Sequence, residues 1–211
     1  MIEIQLKGLG KRFQYDWIFK NLSTCIPSGS SCAITGGNGS GKSTLLKCIS
    51  AINPFTEGKI EYFLNNREIP ESDIFNHLVI SAPYLELPEE FSLNELLDFH
   101  FKFKKPIEGM DFEGMMQKMY LHEHRNKPIN QFSSGMKQRL KLGLCLFSEV
   151  PLALLDEPTS NLDEKGIHWY LEMIGEFGQK KTILVCSNDS KEYAFCKQRI
   201  HIEDYKLSQK L

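Results

Sequence analysis

The nine residues GGNGSGKST, Gly36 to Thr44, decide how the rest of the chain is read. They carry the spacing G-x-x-x-x-G-K-S, follow the apolar run SSCAIT, and open a stretch from Ser43 to Ile52 with apolar residues at helical spacing. Such a match arises by chance on the order of once per hundred chains of this length, so accident is a poor account of it. Strand, glycine turn and helix in that order leave backbone N–H groups pointing into a nest at a helix amino end, which suits phosphate oxygens. Gly36, Gly37, Asn38, Gly39, Ser40 and Gly41 would form the cradle. Lys42 would reach the β and γ phosphates, the Ser43 hydroxyl would ligate Mg²⁺, and Thr44 would bind ATP with them. A merely flexible turn does not explain why Lys-Ser-Thr follows the last glycine.

Outward from this loop the pattern alternates. Ile2, Ile4 and Leu6 interleave with polar residues as in a half-buried strand, and WIFKNLSTCIP, SSCAITG, GKIEYFL and HLVISAP read as further strands. Between Pro88 and Pro128, FSLNELLDFHFKF and MDFEGMMQKMY take helical spacing, with Pro106 and Gly109 between them, which predicts a helical insert over about 84–131. Then follow a helix from about Met136 to Ser148, the apolar run PLALLDEP, a helix from Glu164 to Phe177, the strand TILVCSND, a short helix near Glu192, and RIHIEDYKL. This order predicts an α/β fold with a mostly parallel sheet flanked by helices, one domain over 1–211.

Two further stretches carry chemistry. The run LALLDEP ends in Asp156-Glu157, so a buried strand would place Asp156 beside the metal and Glu157 near the attacking water as general base. FSSGMKQRLKLGL sets Ser133, Ser134 and Gly135 before an amphipathic helix, a second amino end suited to an anion.

Taken with SNLD at Ser160 to Asp163 and TEGKI at Thr56 to Ile60, this ordered set resembles the ABC-type ATPases. Gly36 to Thr44 matches their Walker A loop, FSSGM their signature motif, LALLDE their Walker B strand and SNLD their D-loop. The resemblance implies a P-loop fold with an N-terminal antiparallel β subdomain and a helical subdomain, ATP and Mg²⁺ as ligands, and hydrolysis of ATP. It implies a head-to-tail dimer, homo- or heteromeric, in which Ser133, Ser134 and Gly135 of one chain contact the γ phosphate held by Lys42 of the other. It also implies separate transmembrane permease subunits as partners, with export slightly favoured by the compact length, and an adenine-stacking aromatic. Phe13, 29 residues before Lys42, is the first choice, with Tyr15 and Trp17 as substitutes.

Two positions depart from the family pattern. Where a Gln usually senses metal and water stands Tyr84, and no Gln occurs between Gln14 and Gln117; Glu86, Glu89 and Glu90 are the nearby polar substitutes. Where a switch histidine usually follows the strand after Walker B stands Asn188, and His168 and His201, the only later histidines, do not occupy that strand end. Asn keeps an amide donor but has a shorter reach and no titratable proton, which predicts slower hydrolysis with Glu157 retained.

Composition narrows the alternatives. Lys and Arg total 25 against 27 Asp and Glu, a net charge of −2, which offers no general attraction to nucleic acid or anionic lipid. The cysteines at 25, 32, 48, 145, 186 and 196 form no C-x-x-C pair and lie mostly in apolar runs, as reduced core thiols do. No apolar run reaches the ~18 residues of a membrane helix, so the expectation is a soluble, cytoplasmic protein docked at a membrane face. FHFKFKK mixes aromatics with cations as single-strand binders do, but Leu93, Leu96, Leu97 and Phe101 follow a helical stripe and favour a packed helix. Met115, Met116 and Met119 share a helical face and read as core before partner patch, and His122 and His124 lack the spacing of a metal site.

Overall fold

A computed structural model describes residues 1–206. Strands β1 (Ile2–Phe13) and β2 (Asp16–Ile26) form a long hairpin, and β3 (Ser31–Thr35) leads through the glycine loop into helix α1 (Lys42–Ile49). Strands β4 (Glu57–Leu64), β5 (Arg67–Ile69) and β6 (Leu78–Ser81) follow, then helices α2 (Leu93–Phe101), α3 (Phe112–Lys118) and α4 (Ser134–Phe147). Strand β7 (Leu152–Asp156), helix α5 (Glu164–Phe177) and strands β8 (Thr182–Cys186) and β9 (Gln198–His201) complete the described elements.

Two sheets result. An antiparallel sheet in the order β2-β1-β4-β5 lies beside a five-stranded sheet in the order β6-β7-β8-β3-β9, in which every pairing is parallel. The central parallel strands β3, β7 and β8 are buried on both faces, so they read as continuous apolar runs, and alternate residues go to different cores, while the edge strand β9 buries only Ile200. Leu152, Leu154, Leu184 and Cys186 pack toward α1 and the antiparallel sheet, whereas Ala153, Leu155, Ile183 and Val185 pack toward the α2–α5 side. Gly58 fixes the approach of β4 to β1: at φ +89° a Cβ there would lie 2.5 Å from the Gly8 carbonyl oxygen.

The helix entries follow from their side chains. Ser92 and Glu95 form a reciprocal capping box at α2, Asp111 caps α3, and Asp163, the acid of SNLD, accepts from the Gly166 N–H at 2.8 Å to start α5. Met115, Met116 and Met119 are fully buried in the core against α4 and α5. A residue larger than Gly143 on α4 would strike the Met119 sulfur.

Some local expectations change. The helix beginning at Leu93 stops at Phe101, so Lys102 to Lys105 leave it, and Phe99 and Phe103 are exposed, Phe99 packing edge-on with both Phe91 and Phe103. Helix α4 begins two residues earlier than Met136 because Ser133 caps it. The short helix expected near Glu192 is a run of turns: Glu192 N–H bonds to Asp189 and Cys196 N–H to Tyr193, with no sustained i to i−4 ladder. In RIHIEDYKL, β9 gives way to a 3₁₀ turn at Ile202–Tyr205, and Leu207, with the rest of 207–211, lies outside the described residues. The six cysteines are free thiols; Cys25 is exposed and Cys196 half-buried, contrary to a uniform core role.

Candidate nucleotide site

The glycine loop joins the carboxyl end of β3 to the amino end of α1, the edge of a parallel sheet where ligands gather. Gly41 stands at the helix entry with φ +111°, and a Cβ on it would come within 2.4 Å of the Ile18 Cγ2. Only glycine lets the backbone make this turn with Ile18 behind it. Lys42 is 5% exposed, and its ammonium donates to the Gly36 and Gly37 carbonyls at 2.9 and 3.0 Å, folded back along the loop. Asn38, Gly39, Ser40, Gly41, Lys42, Ser43 and Thr44, with Ile18 and Glu157, line one open cavity of about 210 Å³. The loop and the second acid therefore face the same space.

Asp156 lies at the end of β7, 1% exposed, and neither carboxylate oxygen has a hydrogen-bond partner among the described residues. Burial pushes its carboxyl above the usual range; the nearby Ser43 hydroxyl, which makes no bond of normal geometry with it, and the Lys42 and Lys47 charges pull the other way. A buried carboxylate with both oxygens unspent, beside a serine hydroxyl, fits a hard divalent cation that completes its shell with phosphate and water. Among the described residues no cluster of three or more His, Cys, Asp or Glu could hold a metal without such help. Glu157 adopts φ +46°, uncommon for a non-glycine residue, and its N–H donates to the Cys186 carbonyl at 2.9 Å. That bond ties the turn of the acids to β8.

Of the two departures from the family pattern, Asn188 touches the loop itself and Tyr84 packs on helix α1. Asn188 follows β8, exposed, and its Nδ2 donates to Asn38 Oδ1 on the loop rim at 3.0 Å. Tyr84 follows β6, with the Lys47 ammonium 3.7 Å from its ring centroid. Burial, and next the charge of Asp156, raise its phenol above the ordinary value. Of the glutamates near Tyr84, Glu89 pairs instead with Lys137 on α4.

Ser133, Ser134 and Gly135 stand elsewhere. Ser133 Oγ accepts from the Met136 N–H at 3.2 Å, both serines are exposed, and none of the three lines the loop cavity. Phe13 is 47% exposed with the Lys11 ammonium 4.6 Å from its ring centroid; Tyr15 is 91% exposed, and Trp17 is covered by Lys20 and Arg12.

Three site neighbours were not legible in the sequence. Ile18 backs the loop from β2; Glu203 Oε1 accepts from the Gly37 N–H at 2.8 Å; and His201 Nδ1 lies 3.2 Å from the Thr35 hydroxyl. Each comes from a distant strand or turn and carries no local motif.

The ABC transporter family profile matches residues 19–160. The lantibiotic transport ATP-binding protein SrtF of Streptococcus pyogenes is 30% identical over 189 residues, 88% of this chain and 80% of that protein. The uncharacterized ABC transporter ATP-binding protein YcbN of Bacillus subtilis (strain 168) is 28% identical over 164 residues; the match spans 78% of this chain and 53% of that longer protein. Among solved structures, a dimeric ATP-binding cassette in a post-hydrolysis state bound to ADP and Pi has the same fold, with a TM-score of 0.80 at 23% identity, covering 98% of this chain and 97% of that one. The chain therefore belongs to the ABC transporter family, among its ATP-binding proteins.

Proposed function

We propose that the chain works as a head-to-tail dimer around two ATP molecules and drives transport through separate transmembrane subunits at the cytoplasmic face of a membrane, with export the favoured direction. The observation that carries the chemistry is the buried, unpartnered Asp156 at the end of β7, directly followed by Glu157, which lines the loop cavity. The loop N–H groups and Lys42 hold the phosphates, the Lys42 ammonium exchanging its two carbonyl partners for phosphate oxygens. Ser43 and Asp156 would hold Mg²⁺, which when bound neutralises charge on the β and γ oxygens. Glu157 orients the attacking water and takes its proton as the bond to the γ phosphorus forms and the bond to the β-γ bridging oxygen breaks. Asn188 donates to the γ phosphate, and Ser133, Ser134 and Gly135 of the second chain close the site. Their exposure outside the loop cavity suits that role. Phe13, half exposed at the end of β1, stacks on adenine.

Transport as the outlet is supported by the S. pyogenes relative, which is named for it. Among the described residues no helix is long and apolar enough to cross a membrane, so the path for cargo would be supplied by partners.

A second reading has its own observation. Asn188 spends its donor on Asn38, and Tyr84 lies against Lys47 where the family pattern has an amide, as suits a module that binds ATP and dimerises but turns over slowly, alone or beside a full-motif partner chain. Steady-state ATPase of the purified protein against Glu157→Gln separates the two: a wild-type rate well above the variant supports the enzyme, and equal rates sink it. Pull-down from membranes with and without the candidate permease tests the partner; association that persists without any permease counts against it.

A further inference from the structure

The turn after the two acids is gripped from both sides by buried polar side chains. From α4, Gln138, 4% exposed, donates through Nε2 to the Pro158 carbonyl at 2.6 Å. From the segment after β8, Glu192, also 4% exposed, accepts from the Thr159 N–H at 2.7 Å and from the Thr159 hydroxyl, both on Oε1. Among the described residues Glu192 has no other side-chain donor. The Glu192 backbone is seated in turn: its N–H bonds to the Asp189 carbonyl at 3.1 Å, and its carbonyl accepts from the buried Tyr170 hydroxyl on α5 at 3.0 Å. Burying a carboxylate without a cation is unfavourable, and donors from one residue offset that only in one place of the turn. The arrangement specifies where Thr159 sits.

What Glu192 connects gives this placement a use. Four residues before it, Asn188 touches the phosphate loop. Two residues after Thr159, the Asn161 carbonyl packs against Gly135, where an added Cβ would meet it at 3.3 Å. One carboxylate thus links the segment facing this chain's own phosphate loop to the turn bordering the helix entry offered to a second chain.

We propose that Glu192 is a positioning residue that makes the placement of the Pro158–Asn161 turn, and of Gly135 against it, depend on the placement of Asn188. The proposal rests on the dimer reading above. Glu192→Ala removes the acceptor, Glu192→Gln keeps a neutral one for the Thr159 N–H, and Thr159→Val removes only the hydroxyl.

The test measures MgATP affinity, kcat and KM for the wild type and these three variants. It also follows ATP-dependent dimerisation of Glu157→Gln with and without Glu192→Ala by light scattering. Glu192→Ala should bind MgATP within two-fold of the wild type yet lose ten-fold or more in kcat, and should shift dimerisation to at least ten-fold higher protein concentration. Glu192→Gln should return to within three-fold in kcat, with Thr159→Val between the two. Wild-type kcat in Glu192→Ala, equal loss in the Ala and Gln variants, or weaker ATP binding at full kcat would each overturn the proposal. If Glu192→Ala does not fold, Thr159→Val decides, and an unchanged kcat there refutes it. Failure of Glu157→Gln itself to dimerise with ATP overturns the dimer reading; a Glu157→Gln dimer that Glu192→Ala leaves untouched overturns this inference alone.

Discussion

Replacing Asn188 by Ala tests whether the polar end of β8 acts on the reaction or only finishes a strand. At rest the Asn188 amide donates to the Asn38 side chain at 3.0 Å in an exposed, neutral bond. To serve the γ phosphate it must exchange that bond for one to a charged oxygen. A hydrogen bond to a charged group contributes about 1.5 to 3 kcal/mol and a neutral one about 0.5 to 1.5. The exchange is therefore worth about 1 to 2 kcal/mol, or roughly 5- to 30-fold in rate if realised in the transition state. Single-turnover phosphate release at saturating MgATP should slow by that factor in Asn188→Ala, with ATP affinity within two-fold of the wild type. Asn188→His, with its longer reach, should run faster than the wild type. Asn38→Ala, which frees the Asn188 donor from its resting partner, should not slow the step through Asn188. A rate for Asn188→Ala within two-fold of the wild type refutes the reasoning, as does a loss confined to ATP affinity.

Asp156→Asn should raise the thermal midpoint of the nucleotide-free protein, by an amount equivalent to about 1 to 3 kcal/mol, because it removes a buried carboxylate with no partner, and should abolish Mg²⁺-dependent turnover. Its carboxyl titrates above the unfolded value, so the wild type gains stability relative to the variant as pH falls through that raised value and loses it as pH rises; calorimetry over pH checks the sign. His100 is pushed down to about 4 by burial and by Lys104. The unfolded chain therefore binds the extra proton first, and the thermal midpoint should fall between about pH 6.5 and 4, less steeply in His100→Gln. Phe13→Ala should weaken ATP binding about 5- to 10-fold, the low end for an aromatic under a base, with Tyr15→Ala unchanged; equilibrium binding of ATP against a triphosphate without base separates stacking from phosphate contacts.

The convergence of the glycine loop and Glu157 on one cavity was legible in the chain because each occupies a few consecutive residues that one strand end positions, whereas Ser133, at the entry of α4, lies outside that cavity. Helix α5 was predicted at its observed bounds, since Asp163 starts it and its apolar stripe runs unbroken to Phe177. The segment near Glu192 misled because its turns bond over three residues and its acid turns inward to Thr159, an interaction 33 positions away. Ile18, Glu203 and His201 were invisible for the same reason. Their roles exist only after β2, β9 and the loop have been brought together, and no periodicity encodes a contact across 166 positions such as that between Gly37 and Glu203.

The strand order also sets a clock. The phosphate loop hangs from β3, whose hydrogen-bonded neighbours in its sheet are β8 and β9. Both are translated long after it: Thr182 opens β8, 147 positions beyond Thr35. At about 5 to 20 residues per second of synthesis, a nascent chain spends roughly 7 to 30 s with the loop made and its sheet unbuilt. During that interval ATP has no seated cradle to find, and the apolar face of β3 is open to whatever else is folding nearby. Nucleotide binding is thus among the last properties this molecule acquires during synthesis, although its most recognisable motif is among the first parts to be made.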